Sequence, residues 1–189
     1  MIVYSVRGAY NELPVVQYLV EQTGLGANHK QSNKGATPLC AACGEGHLAV
    51  VEYLAEKAGA DANLESSDGA PPVYLACNHG HLPVVKYLVE KAGADITKKV
   101  AGEHDSQYTA CQEGNLPIVQ YLIEKAGVVV DKCFYGGFSL LFGAICNGQL
   151  SVVQYLVEKA GMDASRRPRA EQLPSTRRVW EGIWLLYRT

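Results

Sequence analysis

The sixteen residues GHLAVVEYLAEKAGAD, 46–61, return almost unchanged as GHLPVVKYLVEKAGAD, 80–95, and this recurrence constrains the fold more than any other feature of the chain. The opening leucine recurs as Leu13, Leu48, Leu82, Leu116 and Leu150, at intervals of 35 and then 34 residues. A Tyr-Leu pair keeps step with it at 18–19, 53–54, 87–88, 121–122 and 155–156. A period in this range means that each copy is one supersecondary unit, unable to bury its apolar face alone and stacked on its neighbours.

Each copy carries two helix signals. Leu82, Val85, Leu88 and Val89 make one apolar stripe at helical spacing, with Lys86, Glu90 and Lys91 elsewhere, so an amphipathic helix of about three turns is expected. Prolines 14, 83 and 117 fall near its start, where a missing N–H does no harm, and glycines 59, 93, 127 and 161 can close it in the left-handed conformation. A shorter helix precedes it. In GATPLCAACGEG, Thr37 can cap, Pro38 fits the first helical position, and Leu39, Ala42 and Cys43 form an apolar face. Gly46, Gly80, Gly114 and Gly148 then reverse the chain into an antiparallel partner. Polar, turn-rich connectors such as GADANLESSDG, 59–69, suit protruding hairpins.

The TPL opening at 37–39, the alanine column, the G-H-L link at 46–48 and 80–82, and GAD at 59–61 and 93–95 resemble the ankyrin-repeat family over about residues 1–165. The tetratricopeptide family has a similar period but lacks the long polar connector. The resemblance implies an all-α solenoid of stacked antiparallel helix pairs with hairpin or turn connectors. The expected division is a degenerate repeat at 1–34, repeats at 35–68 and 69–102, a divergent repeat at 103–136, a repeat at 137–165, and an Arg-rich tail at 166–189. The chain departs from the family where a histidine usually follows TPL: that column reads Cys40, Tyr74, Tyr108 and Phe142. It also carries one extra residue per repeat, assigned to Ala58, Ala92, Ala126 and Ala160 and expected to lengthen the second helix. Gln107 stands where Leu39 and Val73 do, which makes the divergent repeat the expected weak link, because an amide there must be satisfied rather than simply buried.

Chemistry-bearing residues follow the same register. Cys43, Cys77 and Cys111 share one column with Ile145, so they are expected in the core; Cys40 and Cys43 form a C-x-x-C with no second pair to complete a zinc site. Free thiols point to a reducing compartment, the cytoplasm or the nucleus. His47 and His81 share a column with Asn115 and Gln149, which a hydrogen-bonding side chain at the link between helices explains. No nucleophile or acid-base pair has recognisable spacing, and the glycines form no phosphate loop, so neither catalysis nor a cofactor or metal is expected. The Glu-Lys pairs at 56–57, 90–91, 124–125 and 158–159 read as a solvated face.

Equivalent scaffold positions are filled alike, whereas a recognition surface need not be. The resemblance implies that partners are held by hairpin tips and by the exposed end of the first helix, along a concave groove. In register, the helix ends read Gly44-Glu45, Asn78-His79, Gln112-Glu113 and Cys146-Asn147. The tips read Asn33, Lys34, Ala36; Ser67, Asp68, Ala70; Ala101, Gly102, His104; and Tyr135, Gly136, Phe138. The last tip, CFYGGF at 133–138, is rich in aromatics, which either anchor a partner or pack on their own hairpin. The candidate protein-binding residues are therefore Asn33, Lys34, Glu45, Ser67, Asp68, Asn78, His79, His104, Gln112, Glu113, Tyr135, Phe138 and Asn147.

The formal net charge of −2 argues against a generally nucleic-acid-binding surface, and no apolar run reaches the length of a membrane helix. After Asp163 the repeat phrases stop, and the tail holds six of seven arginines, with Val179, Ile183 and Leu186 or Tyr187 able to line a short helix. That tail is expected to cap the array; a basic localisation signal, a partner-binding arm or the unrelated ending of a longer array stay open. A non-catalytic, monomeric module that binds a protein is the expectation. A structural piece of a longer array, or nucleic-acid contact through the arginines, is the alternative.

Overall fold

Leu, Val and Ala at helical spacing, punctuated by left-handed glycines, can satisfy their backbone only as short helices joined by tight turns. The computed structural model describes residues 13–23, 26–30, 35–100, 104–127, 130 and 139–162. Its helices are α1 (Leu13–Thr23), α2 (Pro38–Glu45), α3 (Leu48–Glu56), α4 (Pro72–His79), α5 (Leu82–Glu90), α6 (Ser106–Gln112), α7 (Leu116–Glu124), α8 (Leu140–Cys146) and α9 (Leu150–Glu158). Among the described residues the one β-type pairing is an isolated antiparallel bridge between Val100 and His104. No described helix is long and apolar enough to cross a membrane.

The chain forms two compact units, Met1–Ser106 and Gln107–Thr189. In the first, α2 pairs with α3 and α4 with α5; α2 also packs on α4, and α1, α3 and α5 pack in succession. In the second, α8 pairs with α9, and α9 packs on α7. The shared cysteine column is core, as its register requires: Cys43, Cys77, Cys111 and Ile145 are all buried. Burial pushes the Cys43 thiol well above its ordinary value, and burial followed by the charge of Asp105 does the same for Cys77. These thiols stay protonated and act as small apolar groups.

Thr37 caps α2 as expected, its Oγ1 accepting from the Cys40 N–H at 3.1 Å, and Ser139 does the same for α8 through Phe142 N–H at 3.2 Å. The second helices differ from expectation in two respects. Their buried face in α5 is Val84, Val85 and Leu88, while Leu82 and Val89 are half-buried, because the helix must meet both its own partner α4 and the neighbouring α3. The extra alanine does not lengthen the helix. Ala58 and Ala92 lie in the exit turn, each donating to the carbonyl five residues back, Tyr53 O and Tyr87 O, at 3.2 Å. The added residue widens that turn before the left-handed Gly59 and Gly93, φ 69° and 66°.

Candidate functional site

The candidate residues sit on a backbone that is cross-linked from repeat to repeat by polar side chains at equivalent positions. At the link between helices, Nε2 of His81 lies 2.9 Å from Gly44 O; a carbonyl can only accept, so the imidazole donates from Nε2. Gln149, in the same column, donates from Nε2 to Gln112 O at 3.1 Å. The shared polarity of this column thus has a structural cause. It also explains the preceding glycines, since a β-carbon on Gly46 would run into the His81 ring and one on Gly114 into the Gln149 amide.

A second set of bonds joins the connectors. Asn28 clasps the following GAD turn with both ends of its amide, donating from Nδ2 to Gly59 O at 3.1 Å and accepting the Asp61 N–H on Oδ1 at 2.8 Å. Asn63 repeats the clasp on Gly93 O and Asp95 N–H, at 3.2 and 2.7 Å. Lys98 adds a bond to Asn63 O at 2.9 Å and an ion pair with Glu65 at 2.7 Å. A third set runs along the second helices: the phenols of Tyr53, Tyr87 and Tyr155 donate to Glu21, Glu56 and Glu124 at 3.5, 3.2 and 3.0 Å. Glu56 and Glu124, expected merely as solvated charges, are therefore also acceptors for the next repeat. The asparagine clasp and the tyrosine ladder are not evident from one copy; the signal for them is the co-recurrence of Tyr with Glu and of Asn28 with Asn63, 35 residues apart.

Against this frame the candidates take definite places. Glu45, His79, Glu113 and Asn147 are exposed at the ends of α2, α4, α6 and α8, and Asn78 and Gln112 beside them are half-buried. His79 is oriented by its Nδ1, 2.9 Å from Leu75 O, and its ring lies nearly parallel to that of His81 with centroids 6.3 Å apart. Asn147 is held by Nδ2 donating to Gly143 O at 3.0 Å. In the first unit α2 packs on α4, which puts Glu45, Asn78 and His79 on one edge.

Ser67 and Asp68 are exposed at the tip of a tight turn closed by Ser66, whose N–H donates to Ala70 O at 2.9 Å and whose Oγ accepts the Ala70 N–H at 3.2 Å. His104 is not among the turn residues proper. Its carbonyl accepts the Val100 N–H at 2.8 Å on the closing rung, and its side chain is half-buried. The register gives the reason, because Ala36 and Ala70 in the same column are buried. Phe138 shares that column; Asn33, Lys34, Tyr135 and Phe138 lie outside the described residues. Among the described residues no group of three or more His, Cys, Asp or Glu side chains is placed to hold a metal ion.

The family model described as ankyrin repeats (3 copies) matches residues 3–100 and 103–167 of the chain. A comparison with curated proteins finds no match.

Proposed function

The chain belongs to the ankyrin-repeat family, whose members are generally non-catalytic protein-interaction modules, and from that premise we propose that it binds a protein partner through its first-helix ends and connector tips. One observation carries this reading. Positions that bear the frame hold the same or chemically equivalent residues, whereas the outward column reads Glu45, His79, Glu113 and Asn147, three residue types that differ in charge. A side chain that is unlike its register mates yet is set on a fixed backbone supplies specificity without serving the fold.

The mechanism is preorganisation. The clasps of Asn28 and Asn63 and the links of His81 and Gln149 fix the backbone before any partner arrives, so binding costs mainly side-chain ordering. In the first unit Glu45, Asn78, His79, Ser67 and Asp68 present carboxylates, an amide, an imidazole and a hydroxyl, a set suited to a polar partner surface with hydrogen-bond donors. In the second unit Gln112, Glu113 and Asn147 continue the same chemistry.

The test compares proximity labelling by the unmodified protein with that by Asn78→Ala/His79→Ala and by Gln112→Ala/Glu113→Ala. The labelled set should lose specific proteins in at least one variant while circular dichroism and melting temperature stay unchanged. An identical labelled set in both variants would count against these positions.

A further inference from the structure

Among the described residues the second unit leaves one place open, the link between its last two helices, although Leu140, Leu141, Phe142, Ala144 and Ile145 of α8 are buried. Leu48 and Leu116, each followed by a described repeat in its own unit, are half-buried, but Leu150 in the same column is 62% exposed. Gly148 tells the same story. Gly46 and Gly114 abut the linking side chain of the next repeat, His81 and Gln149, whereas a β-carbon on Gly148 would meet nothing within 4 Å. The α8–α9 link therefore offers a seat, at Gly148 and Leu150, for the linking residue of one more repeat.

The sequence after it keeps the 34-residue register, although the repeat phrases are gone. Pro174 falls in the column of Pro38 and Pro72, Val179 in that of Cys43, Cys77, Cys111 and Ile145, and Glu181-Gly182 in that of Glu45-Gly46 and Glu113-Gly114. Trp184 takes the column of Leu150, Leu186 that of Val84 and Val152, and Tyr187 that of Val85 and Val153. In the link column stands Ile183. It cannot donate to a carbonyl as His81 and Gln149 do, so the interface it makes is apolar, matching a seat that presents Leu150.

We propose that residues 174–187 form a further, incomplete repeat that docks at the open α8–α9 link, with Ile183 at Gly148 and Leu150, and closes the array. The arginines fix its place at the end. Arg178 stands in the column of Ala76, Ala110 and Ala144, all fully buried, where a guanidinium fits only a repeat with one face in water. A tether of 11 residues, 163–173, gives this segment a millimolar effective concentration at the seat, about what a second copy would need free in solution to compete.

The two tryptophans of the chain, Trp180 and Trp184, both lie in this segment, so their fluorescence reports on it alone. In the full-length protein the emission should be blue-shifted, with acrylamide quenching several-fold weaker than for a free tryptophan amide. Leu150→Arg alters a side chain already largely exposed, so helix content should persist while the emission shifts red and quenching rises. Should Leu150→Arg fail to fold, Ile183→Arg must give the same red shift. Fully exposed tryptophans in the unmodified protein, or shielded ones that neither substitution releases, would overturn the proposal. So would a concentration-dependent dimer that Leu150→Arg dissociates, since that assigns the seat to a second copy.

Discussion

The imidazole of His81 reaches 2.9 Å across to the carbonyl oxygen of Gly44, and in doing so it occupies the space that a side chain on Gly46 would need. One residue thus links two repeats and dictates a glycine in the first of them. Gly46, Gly114 and Gly127 are all left-handed, φ 79°, 78° and 69°, so alanine at any of them carries a strain of roughly 1–2 kcal/mol. Only the first two also collide with a neighbour. Urea unfolding should show Gly127→Ala losing about that amount and Gly46→Ala and Gly114→Ala losing about 1–3 kcal/mol more. Equal losses at all three would mean that the link does not hold the repeats together.

The asparagine clasp should matter more than its exposure suggests. Asn63→Ala removes two bonds to the next connector, those to Gly93 O and Asp95 N–H, and is expected to cost about 1–2 kcal/mol. Hydrogen exchange should localise the effect, with the Asp95 amide losing protection while the amides of α2 and α3 keep theirs. A uniform loss across the first unit would count against a local clasp.

Alkaline titration probes the tyrosine ladder. Burial first, and then the bond to Glu56 or Glu124, pushes the phenols of Tyr87 and Tyr155 up to about 12, and burial does the same for Tyr108. An unfolded phenol titrates near 10. The protonated form is the one held in the fold, so this stabilisation is complete below about pH 10 and drains away as pH rises towards about 12. The melting temperature should fall across that window, and fall less steeply in Tyr87→Phe/Tyr155→Phe. Identical slopes would remove the ladder as the cause.

Gly143 is a glycine for a tertiary reason of a different kind. A β-carbon there would come within 3.0 Å of Cζ of Tyr108, so the ring from the preceding repeat excludes a side chain. Gly143→Ala should destabilise the second unit by about 1–3 kcal/mol, and Tyr108→Phe, which keeps the ring, should leave that cost in place. Relief of the cost by Tyr108→Phe would show that the hydroxyl, not the ring, sets the spacing.

The amino-acid sequence by itself determined the repeat, the helix pairs and the cysteine core, because each is a local periodicity that recurs: Cys43, Cys77, Cys111 and Ile145 need no coordinates to be read as one column. It likewise explained His81 and Gln149 as hydrogen-bonding link residues, since unlike side chains shared only their polarity. What tertiary structure alone decided was how one copy meets the next. The partner of Asn63 is the backbone of a later turn, the partner of Tyr87 is a glutamate that looked merely solvated, and Val84 is buried where Leu82 was expected. Those contacts join residues 31 to 33 positions apart. A single amphipathic helix encodes which of its faces is apolar, but the neighbours on either side decide how wide a face is covered and which polar groups on its rim find a partner.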